Sequence, residues 1–171
     1  MARTPPIFAV GRCPSRSSRS IPREDERLYP QRELAAHVLG YVDADGKGVM
    51  GMERALNERL VDKNLRAAPA ILSIDSRVQA AMESELQDAM IMTQARGAAG
   101  IILDVQTGEV MALASLPLFD PNKIRRASMK YQNNEVTQSV FELGSTFKPL
   151  TIAAALDAGT VTDLAVRYNA M

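Results

Sequence analysis

Tryptophan is absent from the 171 residues, cysteine occurs once, and aromatic residues make up only 5%. A single cysteine, Cys13, closes no internal disulfide and builds no metal cluster. His37 is the one histidine, with no second His or Cys near it, so it reads as a buried or half-buried structural residue. Net charge is also missing: 20 basic residues balance 20 acidic ones. That balance gives no overall pull toward nucleic acid or an anionic membrane. No window approaches the roughly 18 consecutive apolar residues of a transmembrane helix. With 46% apolar and 23% charged residues, wholesale disorder, collagen and a disulfide scaffold are excluded. The length suits one ordinary domain and is too short for two large ones.

What is present is unevenly spread. Residues 1–23 contain Arg3, Arg12, Arg16, Arg19 and Arg23 and no acid. The other 148 residues hold the remaining 15 basic residues and all 20 acidic ones, a net of −5. The apolar run Ile7-Phe8-Ala9-Val10 is shorter than a secretory core of about 7–15 residues. The segment reads as a disordered Arg/Ser-rich tail, with a basic membrane or targeting segment as the alternative.

From residue 27 onward the pattern is that of a folded chain. The apolar stretch 34–42 ends in Asp43-Ala44-Asp45-Gly46-Lys47-Gly48, which has strong turn chemistry. The same segment mimics a calcium loop, but Lys47 and Arg54 fall where ligand oxygens are required, so calcium is rejected. Residues 51–60 read as a short helix with Met52, Ala55, Leu56 and Leu60 on one face. Residues 69–74 read as a strand. Asp75 then caps a long helix over 76–95, with Val78, Met82, Leu86, Ala89, Met90 and Thr93 on one face and Gly97 as the stop. Met82, Met90 and Met92, three of nine methionines, read as core filler. Residues 98–105 and 109–115 flank Gln106-Thr107-Gly108 as a β-hairpin. Its first strand is nearly all apolar, so both faces are expected to be covered. A polar connection over 116–134 contains Lys123, Arg125 and Arg126, a cluster of the size of a solvated loop. A final helix begins near Ser145 and ends at Gly159.

Ser145 and Lys148 are the residues with chemistry in their spacing. At i and i+3 on one helix turn they share a face. A serine hydroxyl attacks only when a base takes its proton. Lysine serves as that base only when burial or a second cation destabilises its ammonium form. Phe147, Leu150 and the apolar run 152–156 suit such burial. At a helix N-terminus, unpaired backbone N–H groups can hold a developing oxyanion. Pro149 is tolerated only in a first turn, which agrees with a helix starting here. On spacing alone, Ser-x-x-Lys is weak, and an N-capping serine beside a surface lysine is the better explanation.

The surrounding residues add a resemblance. Glu142-Leu143-Gly144-Ser145-Thr146-Phe147-Lys148-Pro149 is similar to the acyl-serine motif of class B penicillin-binding proteins. Three earlier blocks resemble the same family in the same order. Arg27-Leu28-Tyr29-Pro30, with 34–43, Gly48, Gly51 and Glu53, looks like its pedestal segment. Leu72-Ser73-Ile74-Asp75-Ser76-Arg77-Val78-Gln79 looks like the start of its transpeptidase domain, and 100–115 looks like the first hairpin of its sheet. The likeness runs over about 27–170 and is strongest to the septal, cell-division type.

The resemblance implies an α/β (α+β) fold: a partial β-lactamase-like transpeptidase domain in which an antiparallel hairpin is flanked by helices. Its expected divisions are a tail (1–23), a pedestal remnant (24–68) and the first part of the transpeptidase domain (69–171). It implies that Ser145 attacks the D-Ala-D-Ala carbonyl of a peptidoglycan stem peptide, with its backbone N–H in the oxyanion hole. Lys148 would be the general base. β-Lactams would acylate the same serine, division proteins would be partners, and no metal, cofactor or nucleic acid would be involved. An inner-membrane, periplasmic location would follow.

The match also departs from the family. The family's later Ser-x-Asn and Lys-Thr-Gly motifs are not in this sequence, no anchor is visible, and Arg32 stands where the pedestal motif has Gly. The chain is therefore expected to be truncated at both ends and inactive alone. The competing readings are an acyl-serine β-lactamase or penicillin-sensor domain, or a non-enzymatic pedestal piece that binds division partners.

Overall fold

The computed structural model describes residues 27–62, 64, 65, 67–126, 129–165 and 167. Cys13 and the tail expected over 1–23 lie outside them. The described residues form two compact units, one ending at Ser139 and the other beginning at Val140.

The first unit starts with a turn over 29–35 and a short helix, α1 (Ala36–Leu39). Arg32 and Ala35 both sit in the left-handed region, at φ 53 and 55. Glycine enters that region freely and a Cβ makes it costly. The Gly-to-Arg departure at 32 thus falls where backbone geometry favours glycine. Gly40 follows at φ 76, and a Cβ there would lie 1.8 Å from the Met50 carbonyl oxygen. That close approach closes a small loop, in which Val49 N–H donates to Tyr41 C=O at 2.9 Å. Asp43 Oδ1 accepts from the N–H of Asp45 and of Lys47 at 3.0 and 2.9 Å, so this carboxylate serves its own turn.

The helix expected over 51–60 is two helices, α2 (Gly51–Ala55) and α3 (Asn57–Val61), separated by Leu56. Met52, Leu56 and Leu60 line a cavity of about 370 Å³ together with Leu28, Leu39 and Leu72. Ala55 does not share that face and is exposed. Arg27 Nε meets Glu53 Oε1 at 3.1 Å within this region. Burial raises the Glu53 carboxyl above its ordinary value, and Arg27 opposes the rise.

Residues 69–74 do not form a strand. They run beside the sheet and contribute single bonds: Ser73 Oγ donates to Val110 C=O at 2.7 Å, and Asp75 N–H to Met111 C=O at 2.9 Å. Asp75 caps the long helix α4 (Ser76–Thr93) by accepting from Arg77 N–H. The Arg77 guanidinium and N–H hold the Asp75 carboxyl down at about 2. The helix ends earlier than expected, because Gln94 adopts φ 54 as a left-handed cap and Gly97 is not the stop. The face expected to be buried is only half-buried, Thr93 is exposed, and Met92 is 80% exposed rather than core filler.

The most buried residues of α4 are polar. Gln79 is fully buried and its carboxamide acts as a surrogate strand. Its Nε2 donates to Leu113 C=O at 2.8 Å, and its Oε1 accepts from Leu113 N–H at 2.8 Å. Nε2 also donates to Glu83 Oε1 at 2.7 Å, and that oxygen accepts from Ala35 N–H at 2.9 Å. One buried pair thereby joins α1, α4 and the sheet. Burial raises the Glu83 carboxyl, and its bonds to Gln79 and Ala35 oppose that rise.

The hairpin forms as expected, with β1 (Ala98–Leu103) antiparallel to β2 (Val110–Leu116). Ala112, Ala114, Ser115 and Leu116 of β2 are buried. β1 is not covered on both faces: Ile101, Ile102 and Leu103 are 46, 40 and 50% exposed among the described residues. The connection beyond β2 contains 3-10 turns at Pro121–Arg126 and Met129–Gln132, then α5 (Glu135–Gln138). Lys123 pairs with Asp120 at 3.3 Å. The segment around α1 grips this connection. Asn122 exchanges two bonds with the Tyr29 backbone, Tyr41 Oη donates to Gln132 Oε1 at 2.8 Å, and His37 Nε2 donates to Tyr131 C=O at 2.8 Å. The His37 ring is 4% exposed and packs edge-on against Phe119 at 4.9 Å. No helix among the described residues is long and apolar enough to cross a membrane.

Three outcomes follow from this packing. Gln79→Leu strands the Leu113 backbone groups, leaves Glu83 with the Ala35 N–H alone, and is expected to cost about 2–4 kcal/mol in chemical denaturation. Arg32→Gly relieves a left-handed backbone and is expected to stabilise the fold by about 1 kcal/mol in the same assay. Burial lowers the His37 pKa below its ordinary 6.5, against the Tyr131 bond and the Glu135 charge. The neutral ring is therefore the folded form. Its contribution is complete above 6.5 and is lost as the pH falls through the lowered value. His37→Gln keeps a donor for Tyr131 without titrating. Its denaturation midpoint should fall less on acidification than that of the parent chain.

Candidate active site

The second unit holds the Ser-x-x-Lys residues. Gly144, at φ 52, turns the chain into a 3-10 turn, Gly144–Phe147, which leads directly into α6 (Lys148–Asp157). Pro149 sits in the first helical turn, where its missing N–H costs nothing. Thr146 N–H donates to Leu143 C=O at 3.1 Å, and the Thr146 hydroxyl reaches the same oxygen. Lys148 N–H donates to Ser145 C=O. The helix closes with Gly159 N–H on Leu156 C=O at 3.0 Å, Gly159 taking φ 66. It ends where the sequence placed its end, and its start is three residues later, because the first turn is 3-10.

Ser145 therefore occupies the tight turn before the helix, and Lys148 opens the helix itself. The backbone places both on one turn, three residues apart, where side chains of a 3-10 turn eclipse. Ser145 N–H precedes the first bond of the turn and has no acceptor among the described residues. Ser145 Oγ and Lys148 Nζ make no hydrogen bond with each other or with another described residue. The burial expected around Lys148 is not observed. Lys148 is exposed, and Phe147, Leu150 and Ile152 are 53, 58 and 46% exposed. Within its own unit α6 packs against its lead-in turn, which does not cover its apolar sides.

Sequence reasoning missed the polar residues that stabilise the first unit. Asn134 caps α5 by accepting from Val136 N–H at 3.1 Å, and Ser115 Oγ accepts from Glu135 N–H at 3.0 Å. An Asn before a helical turn was a readable signal for the first. Nothing local marked Ser115, which gains its role from strand β2 lying beside the connection.

Comparison with known proteins places this geometry. Residues 98–166 match the penicillin-binding protein transpeptidase domain. The probable peptidoglycan D,D-transpeptidase FtsI of Caulobacter vibrioides is 44% identical over 140 residues, covering 81% of this chain and 24% of the relative. Peptidoglycan D,D-transpeptidase FtsI of Escherichia coli K12 is 32% identical over 165 residues, covering 84% of this chain and 28% of the relative. Among solved structures, penicillin-binding protein 3 of Mycobacterium tuberculosis superposes with a TM-score of 0.68 at 33% identity, over 80% of this chain and 32% of the other. Its ampicillin complex gives 0.67 at 32% identity, with the same coverage. The chain spans about a quarter of the length of the curated relatives it matches. Its mixed helix-and-strand fold, with the two-stranded antiparallel sheet, is that of part of their transpeptidase domain. The chain belongs to the penicillin-binding-protein transpeptidase family.

Proposed function

We propose that this chain contributes the nucleophile-bearing part of a septal, class B peptidoglycan D,D-transpeptidase. The observation that carries the reading is the 3-10 turn at Gly144–Phe147, which presents Ser145 with an unpaired backbone N–H ahead of an apolar helix. Ser145 Oγ attacks the penultimate D-Ala carbonyl of a stem peptide, forming a tetrahedral oxyanion. The Ser145 N–H is one donor to that oxyanion. Lys148 takes the Ser145 proton and passes it to the departing D-Ala amine. The amine of a neighbouring stem then displaces Ser145 from the acyl-enzyme and leaves a cross-link. A β-lactam carbonyl enters by the same attack, and the opened ring stays on Ser145 as a stable ester.

The domain reading accompanies this one. Residues 24–68 serve as the pedestal remnant and 69–171 as the first part of the catalytic domain. An inner-membrane enzyme acting on the periplasmic face, alongside division proteins, is the cellular setting that goes with this reading. The 171 residues alone lack the Ser-x-Asn and Lys-Thr-Gly residues that complete the family's site.

A graft tests the assignment. Residues 27–167 replace the matching segment of the Caulobacter relative, and the chimera is incubated with a fluorescent penicillin. The expected result is stoichiometric labelling, abolished by Ser145→Ala and slowed about 10²–10⁴-fold by Lys148→Ala. A chimera with native circular dichroism that takes no label, or one that labels equally with Ser145→Ala, defeats the assignment.

A further inference from the structure

Three grips hold the connection after β2 to the segment around α1, and they answer differently to acid. Asn122 exchanges two bonds with the Tyr29 backbone, at 3.0 and 2.9 Å. Tyr41 Oη donates to Gln132 Oε1 at 2.8 Å. Peptide groups, carboxamides and a phenol undergo no charge change near neutrality. The third grip, His37 Nε2 on Tyr131 C=O at 2.8 Å, comes from the one histidine of the chain, the side chain whose ordinary pKa falls in that range.

The ring sits where a charge is costly. It is 4% exposed and stands edge-on to Phe119, which is itself 3% exposed and meets Tyr41 edge-on at 6.2 Å. Both of its partners, Phe119 and Tyr131, belong to the connection, so the site is complete within this unit. Charges on the surrounding elements are committed elsewhere. Glu53 of α2 pairs with Arg27, Glu83 of α4 serves Gln79 and Ala35, and Asp120 of the connection pairs with Lys123. Arg32 and Glu33 of the preceding turn and Arg54 of α2 are exposed, and β2 carries no charge. Glu135 of α5 does bear on the ring. With the Tyr131 bond it favours the cation, and burial outweighs both.

Protonation adds a charge and a second N–H to this ring. Water stabilises them best, and reaching water means parting from Tyr131 and Phe119. The rest of the unit need not follow. The Gln79 carboxamide holds α4 to β2, backbone bonds hold the hairpin, and neither titrates. The connection has only 3-10 turns and the short α5 of its own.

We propose that His37 is an acid-sensitive latch: on protonation its ring leaves the Phe119–Tyr131 site and frees the chain around those two residues, while α4 and the hairpin stay folded. Acid then loosens the path along the chain toward Ser145 without dismantling the sheet.

The single histidine makes the test direct, because its ring signals stand alone in an NMR spectrum. The untagged 171-residue chain is titrated from about pH 8 to about pH 4, and backbone amide exchange, corrected for its intrinsic pH dependence, is followed over the same range. The ring should titrate below 6.5. Exchange around Phe119 and Tyr131 should rise about tenfold per pH unit between 6.5 and the ring's own pKa, then level off, while α4, β1 and β2 hold their protection. His37→Gln keeps a donor without titrating and should flatten the acid rise. Tyr41→Phe removes a grip that does not titrate, so it should raise exchange at every pH and leave the acid rise in place. The parent titration and Tyr41→Phe decide the matter even where His37→Gln fails to fold. A ring that titrates at or above 6.5, flat exchange around Phe119 and Tyr131, an acid rise that survives in folded His37→Gln, or a rise shared equally by α4 and the hairpin overturns the proposal.

Discussion

The carboxamide of Gln79 is the interaction on which the first unit depends. A β-strand at a sheet edge has backbone groups that must find partners once they are buried. Among the described residues the second strand meets no third strand on that side. Instead, one side chain supplies a donor and an acceptor at the spacing a strand would supply, to Leu113 N–H and C=O. The same amide nitrogen reaches Glu83, whose oxygen holds Ala35 N–H at the left-handed turn before α1. Helix, sheet and the segment before α1 are thus aligned by one polar chain inside an otherwise apolar layer. Each member has a partner, which is the condition under which a buried polar group supports a fold.

That alignment reaches the connection leading toward Ser145. The residues in and around α1, held in place through Glu83, bond to the 116–134 connection through Tyr29, His37 and Tyr41. The Tyr29 and His37 bonds each have a backbone atom on one side, and the Tyr41 bond joins two half-buried side chains, so together they constrain where the connection runs. The connection has no long helix or strand of its own. Its path is imposed from outside by these contacts, together with the Ser115 and Asn134 hydroxyl and amide bonds around α5.

The sequence was readable where local chemistry decides structure. Asp75 before the apolar repeat, Thr107-Gly108 between apolar runs, Pro149 in a first turn and Gly159 after the last helical residue all act within a few residues, and each did what its side chain or backbone dictates. It was less readable where distant parts decide. Residues 69–74 have strand composition, yet the β2 edge they approach is already satisfied by Gln79, so only single bonds form. An apolar-face reading of α4 selects Val78, Met82 and Leu86, and passes over Gln79 and Glu83 because polar residues default to the surface. Their burial is set by the β2 backbone 34 residues on and the α1 turn 48 residues back. Arg32 shows the converse: a departure from a family glycine that the backbone accepts at a positive φ, with the strain left in place.

The Ser145 turn joins local legibility to a longer-range requirement. The order of Gly144, Ser145, Lys148 and Pro149 is enough to build the turn, place Lys148 three residues after Ser145 and leave the Ser145 N–H unpaired. It is not enough to make a lysine a base. That needs the ammonium form destabilised by loss of water, because the proton is otherwise held at any working pH. The means are visible in α6, where Leu150, Ile152 and Leu156 offer apolar surface on an exposed helix. A helix with apolar residues on every side is built to be enclosed. For the proposed role of Ser145 and Lys148, enclosure is the physical requirement: a surface closing over the apolar sides of α6 would bury the helix and remove water from Lys148 together.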